Sequence, residues 1–141
     1  AVTLGASARA GDDAFTRTLF GALGHVVSLE ERLFDAFTAV AGSGPAYLFY
    51  LAEALTEAAK RQGIQHDAAD AIVRSVLHGS AALLAGESQR TAAELRAAVT
   101  SKGGTTAAAI GVMDAKGVME TMAEAIAAAT RRGAELSRAG T

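Results

Sequence analysis

The chain has 141 residues, half of them apolar, with no tryptophan, no cysteine and a formal net charge of −2. That length suits one ordinary domain and is too short for two large ones. The charge argues against a phosphate-backbone binder, and the missing cysteines exclude disulfides and thiolate metal sites.

Residues Ala1 to Ala6 read as a short strand that starts abruptly, without a methionine, as in a processed or partial chain. Asp12 and Asp13 then open a helix that carries Phe15, Leu19 and Leu23 on one face and stops at Gly24. His25 to Leu29 reads as a second short strand. A strand–helix–strand piece needs a larger sheet to join, and no further strand follows it. The N-terminus lacks the basic-then-apolar plan of a secretory leader. No run is apolar enough to span a membrane, and Ala46 to Ala52 is far too short. The default location is cytoplasmic.

From Glu30 onward the pattern is helical. Leu33, Phe34, Phe37 and Val40 form one stripe. Gly42-Ser43-Gly44-Pro45 breaks it, with proline where a first helical turn accepts it. The next helix, Pro45 to about Gln62, is apolar almost all round through Leu55, so it belongs in a core or an interface. Gly63 closes it. A further helix opens near Asp67, carries Ile72, Val73, Val76, Leu77 and Leu84, and ends before Gly86. Thr91-Ala92-Ala93-Glu94 is a hydroxyl–carboxylate capping pattern that starts a short helix to about Thr100. A helix from about Thr106 to Gly117 follows, and a last one runs from Val118 to about Ser137 with Met119, Met122, Ile126 and Ala129 on one face. Alanine-rich helices of this kind bury little area each, so a core shared with a second copy is expected.

Ser101-Lys102-Gly103-Gly104-Thr105-Thr106 is the segment best suited to chemistry. Paired glycines leave backbone amides uncovered, and a helix starts just beyond them. Free amides at the positive end of a helix dipole attract a carboxylate or phosphate. The plainer reading is a helix–loop–helix corner in which the glycines turn the chain and a threonine caps the next helix. Gly42 to Pro45 resembles half of a dinucleotide fingerprint, but lacks the third glycine and a preceding buried strand. By itself it reads as a helix cap. His25, His66 and His78 show no ligand spacing, so no metal is expected. Arg131 and Arg132 read as helix-end decoration rather than as a nucleic-acid patch.

The run from Leu95 to Ile110, centred on Ser101-Lys102-Gly103-Gly104-Thr105-Thr106, resembles the signature of pyrroline-5-carboxylate reductases, the last enzymes of proline biosynthesis. Val40 to Tyr47 resembles that family's other hallmark, and the order and separation of the two agree. Lys102 departs from the pattern, since many members carry proline there. The resemblance implies a mainly α fold: a helical dimerisation and substrate-binding domain at 30–141, preceded at 1–29 by a short strand–helix–strand remnant of a Rossmann-type sheet. It implies reduction of 1-pyrroline-5-carboxylate to proline with NADPH or NADH, held mainly by an N-terminal Rossmann domain outside this chain. Ser101, Lys102, Gly103, Gly104, Thr105 and Thr106 would bind the substrate, chiefly through amides around Gly103 to Thr105. The catalytic residue would be Thr106, its hydroxyl on the ring nitrogen. Ser43, Gly44 and Pro45 would lie near the nicotinamide. The partner would be a second copy, with larger assemblies left open, and neither nucleic acid nor a membrane is implied. Two other readings stand beside this one: a helical dimerisation module that keeps the fold without catalysis, and a related imine or hydroxy-acid reductase.

Overall fold

The computed structural model describes residues 1–139. It comprises two compact units, Ala1–Gly44 with the chain from Ala123 onward, and Pro45–Met122.

The first unit opens with helix α1 (Asp12–Gly21), whose first turn carries Asp12 and Asp13, where negative charge meets the positive end of the dipole. Arg17 pairs with Asp13 at 2.8 Å and also donates to the Ser28 hydroxyl. This pairing lies beside the one place where the expected strands meet. Val2 N–H donates to Val27 O at 2.9 Å and Leu29 N–H to Val2 O at 3.1 Å, a single parallel bridge between Val2 and Ser28. The expected strand–helix–strand remnant of a Rossmann-type sheet is therefore wrong: among the described residues there is no strand and no sheet. The reason is local. Gly5 turns the chain away at once (Ala8 N–H to Gly5 O, 3.0 Å), and two short parallel segments without a third neighbour do not build a ladder.

A 3₁₀ turn at Glu31–Leu33 leads into the short helix α2 (Phe34–Phe37) and then into a π-turn, Thr38–Gly42. The expected break at Gly42 to Pro45 does not occur as a loop. The chain stays helical through Gly42 and resumes as an α-helix at Gly44. In the same unit a Cβ on Gly133 would lie 3.0 Å from Asp35 Oδ1, so a small residue stands where the last helix meets α2.

The second unit contains α3 (Gly44–Arg61) after its first residue, α4 (His66–Gly86), α5 (Ala92–Ala98), α6 (Thr105–Ala115) and the start of α7 (Val118–Ala139). Helix α3 ends as expected at Gly63, whose φ of 92° is open to glycine. Gly63 N–H reaches Lys60 O and Ile64 N–H reaches Ala59 O, the paired bonds of a Schellman stop. Helix α4 has two apolar faces. Ala69 and Val73 are buried, and with Leu77 they follow the four-residue spacing of one face. Val73 and Leu77 also line a groove of about 650 Å³ shared with Phe49, Ala52 and Thr56 of α3. Ile72, Val76 and Leu83 lie exposed on another face.

Little is buried. Among the described residues the buried apolar side chains are Ala39, Ala69 and Val73, while Phe49 and Tyr50 are 73% and 75% exposed. Helix α4 is the one helix among the described residues that bears on the expectation of no membrane span, and it does so weakly. By length and composition alone it is long and apolar enough to cross one, with mean hydropathy 1.2. Its apolar residues are dispersed along 21 positions around the Asp70–Arg74 ion pair, so no continuous run marks them.

Candidate functional site: an uncapped helix start after a glycine turn

Helix α5 is set by a reciprocal cap. Thr91 Oγ1 accepts from Glu94 N–H at 3.2 Å, and Glu94 Oε2 accepts from Thr91 N–H at 2.7 Å. The Thr91 backbone amide, and then its hydroxyl at 2.8 Å, hold the Glu94 carboxyl below its ordinary value. At the other end Thr100 Oγ1 donates to Arg96 O at 2.6 Å and Thr100 N–H to Ala97 O at 3.1 Å. The chain then leaves the helix as Ser101.

Ser101 to Gly104 form a hydrogen-bonded turn, closed by Gly104 N–H to Ser101 O at 3.0 Å. Gly103 has φ +72°, the left-handed value that the third position of a type II turn requires. Lys102 occupies the second position, where proline is the favoured residue. That accounts for what the departure at Lys102 changes: the turn loses a fixed φ and keeps its amides. Gly104 is needed for a different reason. A Cβ there would collide with Ser101 Oγ and lie 3.3 Å from Ser101 O.

Gly104 is also the N-cap of α6, so no side chain caps this helix start. The first intrahelical bond is Ala108 N–H to Gly104 O, 3.1 Å. The amides of Thr105, Thr106 and Ala107 thus stand ahead of the ladder, pointing along the positive end of the dipole. Thr105 and Thr106 are the first and second helical residues, and neither sits in the capping position. Thr106 and Gly104 are half-buried, while Ser101, Lys102, Gly103 and Thr105 are exposed. The arrangement offers amide donors to an anion, with the Thr106 hydroxyl one residue inside the helix.

Ser43, Gly44 and Pro45 stand elsewhere in the chain. Ser43 is half-buried and closes the π-turn, its N–H donating to Thr38 O at 3.0 Å. Gly44 opens α3, and a Cβ there would meet nothing within 4 Å. Pro45 falls in the first turn of α3, where a missing N–H is harmless. Ser43 and Gly44 close the first unit and Pro45 begins the second, which also holds the Ser101–Thr106 turn. The π-turn itself carried no sequence signal: its residues fit an α-helical stripe equally well.

Residues 31–136 match the family described as pyrroline-5-carboxylate reductase dimerisation. The chain belongs to that family. It is 40% identical over 137 residues to the pyrroline-5-carboxylate reductase of Thermus thermophilus, covering 96% of this chain and 51% of that protein. Its fold is similar to the solved pyrroline-5-carboxylate reductase of Coxiella burnetii, with a TM-score of 0.86 and 31% identity over 94% of this chain and 49% of that one. The 1-pyrroline-5-carboxylate reductase of Streptococcus pyogenes gives a TM-score of 0.81 and 32% identity, over 93% of this chain and 50% of that one. The chain spans about half the length of the curated relatives it matches.

Proposed function

We propose that this chain is a helical dimerisation and substrate-binding module of the family that performs no reduction by itself. The observation that carries the reading is the family match over 31–136, a dimerisation region. Exposed apolar residues on α3 and α4 support it, because side chains such as Phe49, Tyr50, Ile72 and Val76 gain most from a cover supplied by a second copy. In this reading residues 30–141 form the module, and the work takes place in the cytoplasm.

A second reading is favoured by the relatives, which bear the name pyrroline-5-carboxylate reductase and are about twice as long. Joined to a dinucleotide-binding domain, the module would complete a reductase that converts 1-pyrroline-5-carboxylate to proline. NADPH or NADH supplies the hydride when bound. The open space at Gly44 and the half-buried Ser43 suit the approach of a nicotinamide ring, and Pro45 follows them in the chain. Free amides at the start of α6, from Thr105 on, beside the turn that Ser101, Lys102, Gly103 and Gly104 form, would hold the substrate carboxylate. Charge-assisted bonds of this kind are among the stronger ones available to a backbone. Thr106 would place its hydroxyl on the ring nitrogen. As the imine carbon gains hydride, the C=N π pair moves onto that nitrogen, which takes up a proton from water. Fixing this geometry supplies several kcal/mol of barrier reduction.

The experiment mixes the isolated chain with NADPH and 1-pyrroline-5-carboxylate. No turnover and no saturable cofactor binding are expected, with turnover appearing only when the natural protein carrying a dinucleotide domain is used. Proline formation by the isolated chain would overturn the modular reading.

A further inference from the structure

The π-turn at Thr38–Gly42 stands directly ahead of Ser43 to Pro45, and the proposed function does not account for it. In a regular α-helix the Ser43 amide would bond a carbonyl four residues back. Here it reaches Thr38 O, five back, at 3.0 Å. One inserted residue turns Ser43 and Gly44 by about 100° from where a regular α-helix would place them. Single π-turns have poorer packing than α-helix and recur where a functional residue must be re-aimed. This one is closely fitted. A Cβ on Gly42 would lie 3.3 Å from the Thr38 γ-methyl, so the glycine leaves just enough room for that methyl inside the turn.

We infer that the Thr38–Gly42 π-turn is a positioning element for the cofactor end of the site, holding Ser43 and Gly44 in the register that faces the nicotinamide. The inference rests on the placement of Ser43 to Pro45 at the nicotinamide end given above. Thr38 and Gly42 act through the direction they impose on Ser43, and touch neither substrate nor cofactor. The ligand they serve is a flat, cationic or neutral pyridine ring, for which the space around Gly44 is open.

The test uses the natural protein that carries this chain, with Gly42→Ala, Thr38→Ser and the double variant. The new Cβ presses on the Thr38 methyl, so a purely structural Gly42 predicts a lower melting temperature with unaltered turnover in the folded protein. Positioning predicts that Gly42→Ala lowers kcat roughly tenfold and raises the cofactor KM, while the KM for 1-pyrroline-5-carboxylate stays within about twofold. Adding Thr38→Ser removes the methyl that the new Cβ presses on, and recovers most of the lost kcat. A Gly42→Ala protein with normal kcat and cofactor KM overturns the inference. So does a double variant that regains its melting temperature without regaining turnover. Failure of the unmutated protein to reduce 1-pyrroline-5-carboxylate is a separate result, one that removes the reductase reading and this inference with it.

Discussion

Thr106 is the second residue of α6 and Gly104 its N-cap, so the hydroxyl of Thr106 is free of capping duty. In the natural protein, Thr106→Val keeps the side-chain shape and deletes the donor. One lost hydrogen bond costs about 0.5–1.5 kcal/mol, and more where the partner is left buried. Catalytic efficiency should fall roughly three- to a hundredfold, with the melting temperature nearly unchanged. Steady-state kinetics beside a thermal melt checks both, and a less stable but fully active variant would remove Thr106 from the site. Lys102 gives a prediction of opposite sign. It holds the second position of the Ser101–Gly104 turn, so Lys102→Pro should stabilise the chain by about 0.4–1 kcal/mol by restricting the unfolded state. Chemical denaturation of the isolated chain reads this directly, and a loss of stability would show that the turn needs the Lys102 amide. The loop was legible in the sequence because paired glycines before a helix leave few other conformations. The identity of the N-cap was not legible, since either threonine satisfies the same residue preference.

At the scale of the element, the capping box shows sequence and structure in agreement. Thr91→Ala should cost about 1 kcal/mol of stability. Glu94 adds a pH dependence whose sign follows from its depressed pKa. Its contribution is present above the ordinary value of 4.5 and is lost as pH falls through the lower folded value. Acid titration followed by circular dichroism should therefore show a shallower loss of stability below that pH for Glu94→Gln than for the natural sequence. Identical slopes would mean that the Glu94 bonds contribute nothing in solution. Helices α3 to α7 were readable because capping residues, glycine stops and apolar spacing agree along them. The strands were not. His25 to Leu29 has the composition of a strand, yet pairing depends on a neighbour, and only one bridge to Val2 forms. The π-turn was hidden for a related reason, since a hydrogen bond five residues back leaves no trace in residue type.

For the whole molecule, the proposed function turns on how its exposed apolar helices are covered. Ile72, Val76 and Leu83 line one side of α4, and Leu48, Phe49 and Tyr50 crowd the start of α3. The thin alanine-rich core follows directly from the composition, whereas the groove between α3 and α4 could only be seen in three dimensions. A charge placed on the stripe, as in Val76→Glu, should drive the chain toward monomer and lower its stability. Sedimentation and thermal melts of that variant read both effects, and an unshifted assembly would take Val76 out of the contact. The most direct test of dimerisation is the mass of the unmutated chain in solution. Light scattering at low micromolar concentration should report twice the 14.2 kDa of the chain, holding steady on dilution. A stably folded species at the single-chain mass would contradict the account.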